Sequence, residues 1–143
     1  MICFECGFQD SEELKTSMAF GVPLCHAHKK NIEQVLSKIG GDYPLGVLYY
    51  ALKKIGLKPF IGWWNGQRHV PISFGRYRLN IEFYDNKLPH NHKLALERQR
   101  NESFDHTHQF ICVHLPLEFL NSYLENTVMI ILDLHEGLRN YNN

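Results

Sequence analysis

The chain has 143 residues, 44% hydrophobic and 13% aromatic, enough for one domain core, which excludes a multi-domain machine and a largely disordered chain. Fifteen Lys and Arg balance fifteen Asp and Glu, so net charge selects no partner. No apolar run approaches the roughly 18 residues that span a bilayer, and the opening Met-Ile-Cys-Phe-Glu-Cys lacks the basic and apolar regions of a secretory signal, so a cytoplasmic protein with no membrane partner is expected.

Three of the four cysteines crowd into the first 25 residues. In a chain without a secretory signal, such clustering points to metal rather than disulfides. Cys3 and Cys6 form a CxxC turn before Gly7, in which two thiolates can converge on one ion. Cys25 and His28 follow as a CxxH at the expected start of a helix, where positions i and i+3 share a face. Together they predict a tetrahedral Cys₃His zinc site; His26 is a poorer substitute for His28 because a helix turns it away from Cys25. Four protein ligands leave no position for water, so the expected zinc is structural, a staple for about forty residues with too little apolar mass to fold alone. The knuckle followed by a helix resembles a treble-clef finger, expected over 1–40.

A helix is predicted over 25–39, with Ile32, Val35, Leu36 and Ile39 at helical spacing. Gly40-Gly41 stops it and is the expected hinge to a second domain over 41–143. A second helix is predicted over 44–55: Pro44 suits its first turn, Leu45, Leu48, Tyr49, Leu52 and Ile55 form a stripe, and Gly56 closes it. The period then changes. β-rich runs at 59–64, 69–74 and 77–84, separated by Asn65-Gly66 and Gly75, predict a three-stranded meander. Residues 88–101 are polar with a helical second half, and 109–114 read as a fourth strand closed by Pro116. Residues 117–136 read as one long amphipathic helix with Leu117, Leu120, Leu124, Val128, Ile131 and Leu134 or Leu138 on its core face. From Asn140 onward a frayed tail is expected. Cys112, in the apolar fourth strand, is expected as a packed core residue.

Charge is unevenly spread. From Lys53 to Arg100 ten basic residues meet three acids, a local +7, whereas from Asn101 onward six acids meet one Arg, a local −5. A basic middle beside an acidic end suits a polyanion-binding face or the complementary surfaces of a homodimer. Trp63-Trp64 and Tyr49-Tyr50 could stack on unpaired bases, but paired aromatics in a small α/β domain fit a core or an interface better.

After the finger the order is α-β-β-β-α-β-α, with a strand ending in Ile81-Glu82, which is what a restriction-endonuclease-like α/β core would produce, a mixed sheet flanked by helices. The stretches Leu48-Tyr49-Tyr50-Ala51-Leu52-Lys53-Lys54-Ile55-Gly56, Trp64-Asn65-Gly66-Gln67-Arg68-His69-Val70 and Arg78-Leu79-Asn80-Ile81-Glu82 carry the resemblance, continued by Lys93-Leu94-Ala95-Leu96 and the strand over 110–116. They resemble the small Vsr-like and DUF559-like nucleases of the PD-(D/E)XK superfamily, some of which bear an N-terminal CxxC zinc finger. The resemblance implies DNA cleavage by carboxylates that hold Mg²⁺ or Mn²⁺. It also implies a site this sequence departs from. The early Asp of the second strand falls on Pro71; the Glu is kept as Glu82; the following Asp falls on Tyr84, with Asp85 one residue late and so on the other face of an unbulged strand. His90 or His92 would stand in for the family His, Glu97 or Arg98 falls at the helical Asp, and Arg98 or Arg100 would serve as its Arg.

The expectation is therefore a catalytically degenerate, zinc-finger, nuclease-fold protein that binds nucleic acid, DNA rather than RNA, or associates with it, and needs no small-molecule cofactor. Phosphate contacts are assigned to Arg68, Arg76, Arg78, Arg98 and Arg100, which flank the face where the family holds DNA. The alternatives are an active metal-dependent endonuclease with a rearranged Glu82, Asp85 and His92 site, and an interaction module, a homodimer or a nuclease inhibitor. A His69, His90 and His92 site would favour Zn²⁺, Mn²⁺ or Ni²⁺. His106 and His108 are expected in a solvated loop, and Asp105 as a turn residue.

Overall fold

The computed structural model describes residues 1–9, 17–85, 104–105 and 108–142; the predicted polar helix over 88–101, with His90, His92, Glu97, Arg98 and Arg100, lies outside the described residues, as does His106. The chain opens in a tight turn: Gly7 N–H donates to the Cys3 carbonyl, Cys3 N–H to Phe8, and Phe4 N–H reaches across to Pro23. That last bond ties the turn to the segment entering helix α1 (His26–Ile39). Cys25 is its N-cap, in extended conformation, and accepts the first helical bond from Lys29. At the other end Gly41 N–H returns to the Leu36 carbonyl, satisfying one of the orphan acceptors of the last turn.

Helix α2 (Tyr43–Lys54) has Pro44 in its first turn, where the missing N–H costs no helical bond. It buries Leu45, Leu48, Tyr50 and Leu52, close to the predicted stripe, although Tyr50 rather than Tyr49 is the buried tyrosine. Gly46 lies on the same face, where a Cβ would stand 2.6 Å from the Phe20 ring, so the bare backbone there is what lets Phe20 seat on the helix.

The strands β1 (Phe60–Trp64), β2 (His69–Phe74) and β3 (Leu79–Tyr84) form the predicted antiparallel meander. β4 (Phe104–Asp105), unpredicted, lies on the outer edge of β5 (Phe110–Pro116), and β5 runs parallel to β3, giving the order β1-β2-β3-β5-β4. The β2–β3 link is a 3₁₀ turn, Gly75–Tyr77, followed by Arg78 at φ 51°, so β3 begins at Leu79 rather than at Tyr77. Register sorts the faces. Ile72 pairs with Ile81 and Ile81 with Val113 on the apolar face, while Ser73 pairs with Asn80, Asn80 with Cys112 and Glu82 with His114 on the other. Gly62 interrupts β1 at φ 75°, and a Cβ there would meet Ile39 of α1 at 2.9 Å, so position 62 excludes a side chain on two counts.

The predicted long helix is two: α3 (Leu117–Ser122) and α4 (Leu124–Asn142), broken at Tyr123. The fully buried Thr127 spans the break: its N–H donates to the Tyr123 carbonyl, and its hydroxyl lies 2.8 Å from both the Phe119 and the Tyr123 carbonyls, placed to donate its one proton to either. α4 also continues through the expected tail to Asn142. Leu120 and Ile131 are buried, and Leu117, Leu124, Val128, Leu134 and Leu138 pack around them.

One apolar cluster runs from Cys3, Phe20, Leu24, Ile32 and Leu36 through Leu45, Leu48 and Leu52 to Ile72, Leu79, Ile81, Leu120 and Ile131. The cluster draws residues from both sides of the predicted boundary at Gly40-Gly41. Each fully buried Leu or Ile stabilises the fold by about 1.5–3 kcal/mol relative to exposure. Among the described residues no helix is long and apolar enough to cross a membrane.

Candidate functional site

The turn and the start of α1 bring four donors together: Cys3, Cys6, Cys25 and His28, whose ligand atoms all lie within 4.8 Å of one another. Cys6 Sγ is 3.9 Å from Cys25 Sγ, and His28 Nδ1 is 3.8 Å from Cys3 Sγ and 3.1 Å from Cys25 Sγ. Two thiolates bound at about 2.3 Å in a tetrahedron stand about 3.8 Å apart, so the spacing suits one shared ion. All four cysteines are free thiols. Burial works to raise the Cys3 thiol, but the backbone N–H groups of Cys25, Cys6 and Glu5 outweigh it and bring it down to about 6, which favours the ligating thiolate at neutral pH. At Cys6 a backbone bond from Phe8 works to lower the thiol, yet desolvation and the neighbouring sulfurs of Cys3 and Cys25 leave it raised. His26 is exposed and outside the cluster.

Glu5, between the two CxxC cysteines, forms an ion pair with Lys53 of α2. The Lys53 ammonium also lies 5.0 Å from the Tyr49 ring centroid and 5.7 Å from that of Tyr50. Desolvation would lower Lys53, but Glu5 and Tyr49 raise it overall. Tyr50 is raised, first by burial and then by the Glu5 charge. The tyrosine pair is thus the packing that joins the CxxC turn to α2, and Lys53 is a cation engaged internally.

The polar face of the sheet centres on Glu82, on β3. Asn65, at the β1–β2 turn, accepts bonds from the N–H groups of Gln67 and Arg68 at 2.9 Å each, and this Asx turn aims Arg68 at the carboxylate. The guanidinium then grips both oxygens, Nε to Oε1 at 2.6 Å and Nη2 to Oε2 at 2.8 Å. His114, its parallel register partner, places Nε2 2.9 Å from Oε2, in ion-pair range but out of line for a hydrogen bond. Burial would raise Glu82, yet Arg68 and His114 overcome it and hold the carboxyl down to about 2. Cys112, on the same face, is buried as expected; desolvation first, then the Glu82 and Asp105 charges, push its thiol up. Asn80 Oδ1 is buried there with no hydrogen-bond partner among the described residues.

The other predicted residues fall in different places. Pro71 faces Gly62 in register, and His69 Nδ1 lies 2.9 Å from the Gly62 carbonyl. A carbonyl can only accept, so Nδ1 carries the proton and gives the Gly62 carbonyl the donor that Pro71 lacks, which leaves that nitrogen no lone pair for a metal. Arg68, expected at the phosphate-contacting rim, is turned onto Glu82 instead. Arg78 donates to Gln109 at 2.9 Å, and Arg76 is exposed over the Tyr77 ring. Asp105 is the turn residue expected, accepting from His108 N–H at 3.2 Å and contacting its Nδ1 at 2.9 Å. His108 is not simply solvated, because Trp63 packs on it and on Phe110, whereas Trp64 is exposed beside His69. Among the described residues the cysteine cluster is the one group of three or more Cys, His, Asp or Glu donors within reach of a common metal; Glu82 and Asp85 form no such group, and His92 lies outside the described residues. Sequence reasoning did not single out His114, whose pairing with Glu82 depends on the parallel register of β3 and β5.

No family model, curated protein or solved structure significantly matches the chain.

Proposed function

We propose that this chain is a zinc-stapled protein with a restriction-endonuclease-like core and a degenerate catalytic centre, acting as a nucleic-acid-binding or nucleic-acid-associated module. Three thiolates and an imidazole favour zinc over harder ions, and four protein donors close its coordination sphere, so its role is to hold the CxxC turn on α1. The antiparallel β1-β2-β3 meander, the parallel β5 and the flanking helices are in keeping with the core that the resemblance implies.

The observation that carries the reading is the Arg68 grip on Glu82. Phosphodiester cleavage by this class of site needs a divalent cation balanced by carboxylates. Here the retained carboxylate is already neutralised by a cation of the chain itself, and Pro71 and Tyr84 supply no replacement acids. Exposed Arg76 and Arg78 remain available to phosphate without chemistry.

The test is incubation of supercoiled plasmid, linear duplex and single strands with Mg²⁺ or Mn²⁺, beside a Glu82→Ala control. The expected result is no cleavage, together with binding that weakens steeply with salt and weakens equally for all sequences in an Arg76→Ala, Arg78→Ala variant. Cleavage that disappears in Glu82→Ala would overturn the degenerate-site reading. Absence of binding at low salt would move the function to protein interaction.

A further inference from the structure

We infer that the cleft between α4 and the β2–β3 turn is a binding site for a phosphate monoester carried on a sugar or similar small ring. The cleft measures about 230 Å³. Its cations come from three separate parts of the chain: Lys58 just after α2, Arg76 in the 3₁₀ turn and Arg139 on α4. Among the described residues no carboxylate lines it. The nearest ion pair, Arg139 Nη2 to Glu136 at 3.9 Å, is long and exposed, and so leaves most of the Arg139 charge to whatever enters the cleft. Three like charges gathered at one mouth repel one another, and an anion between them converts that repulsion into attraction.

Beneath the cations the lining is aromatic. The His135 imidazole stands edge-on to Phe74 and Tyr77, with centroids 5.0 and 4.8 Å away, and the Arg76 guanidinium lies 5.5 Å from the Tyr77 ring. His135 Nδ1 is buried with no hydrogen-bond partner among the described residues. Burial first, then the Arg139 charge, hold this imidazole below its ordinary value, so the cleft carries its positive charge on fixed guanidinium and ammonium groups. Guanidinium forks match phosphate oxygens in pairs, and the apolar lining suits the face of an attached ring. The volume lies below the roughly 300 Å³ at which drug-sized pockets begin, which limits the occupant to a phosphate and about one ring. The cleft shares Arg76 with the proposed nucleic-acid contacts, but Lys58, Arg139 and His135 belong to it alone, so Arg139→Ala tests it apart from the proposed nuclease-like reading.

The test is calorimetric titration of the full zinc-loaded chain at low salt with AMP and with adenosine, and with one short oligonucleotide in terminally phosphorylated and unphosphorylated forms. AMP should bind about tenfold or more tightly than adenosine, and Arg76→Ala and Arg139→Ala should each weaken it by about tenfold. Lys38→Ala, on α1 and outside the cleft, should leave AMP binding unchanged. Preference for the phosphorylated oligonucleotide would assign the site to nucleic-acid ends, and binding of AMP alone to free metabolites; both support the site. AMP bound no better than adenosine, or bound equally by wild type and the Arg76→Ala, Arg139→Ala double variant, would overturn it. All the substituted side chains are exposed, so unchanged thermal unfolding checks that the fold survives.

Discussion

Arg68→Ala strips the bidentate partner from Glu82 and leaves a buried carboxylate beside His114. The magnitude follows from linkage. Glu82 is held from 4.5 down to about 2, and at about 1.4 kcal/mol per unit the net of its partners against burial is about 3.5 kcal/mol. The Arg68 side chain is 33% exposed, so water screens part of its charge and about 2 kcal/mol is the reasonable loss at neutral pH. Because the folded-state value lies below the unfolded one, this stabilisation is fully present above about pH 4.5 and disappears as pH falls through about 2. The deficit of the variant should therefore be flat from neutrality down to about pH 5 and shrink below it. Urea unfolding of zinc-loaded wild type, Arg68→Ala, Glu82→Gln and the double variant is the assay, urea being chosen because guanidinium would screen the pair. The double variant should lose less than the two singles added together, with a coupling of about 1 kcal/mol or more, since an amide at position 82 no longer needs a counter-charge. An Arg68→Ala protein within about 0.5 kcal/mol of wild type would refute the argument.

Metal analysis should find about one zinc per chain, absent in Cys6→Ser. Chelation should lower the unfolding temperature of the whole chain in one transition, because Phe20, Leu24 and Leu36 share a cluster with Leu48 and Ile131; an N-terminal transition separable by calorimetry would show two cores. Thr127→Val should cost about 1–3 kcal/mol by chemical denaturation, with Thr127→Ser recovering most of it, because the buried hydroxyl donates its one proton to a carbonyl at the helix break. Gly46→Ala, a change that ordinarily strengthens a helix interior, should instead destabilise by about 1–3 kcal/mol, since the new methyl meets the Phe20 ring; thermal unfolding no lower than wild type would show that Phe20 can move aside.

Local signals carried the elements well. The i, i+3 spacing of Cys25 and His28 marked two of the four donors that cluster and the helix that presents them, and Asn65-Gly66 and Gly75 separated three strands whose alternation is plain. The break at Tyr123 was hidden because Leu120, Leu124, Val128 and Ile131 keep helical spacing across it, and what makes the break stable is a hydroxyl bonding backwards, which periodicity does not register. β4 spans two residues, too short for alternation to show. The Glu82 environment is half legible: the carboxylate stands out through the resemblance, but the sequence places Arg68 among the phosphate contacts because nothing local says that an Asx turn aims it at Glu82. Likewise a lone His114 acquires meaning only once β3 and β5 are known to run parallel in that register.

The apolar cluster joins the two ends of the chain, for Ile131 of the last helix packs into the assembly that begins with Cys3. A protein built this way emerges from the ribosome with its metal-binding turn and its first three strands available long before the residues that cover them. The meander and α2 must wait, with Leu48, Ile72 and Ile81 unsheltered, until α4 has cleared the exit tunnel. Early metal capture at Cys3, Cys6, Cys25 and His28 would give the nascent chain one ordered foothold during that interval, so availability of the ion during synthesis bears on folding yield as well as on final stability.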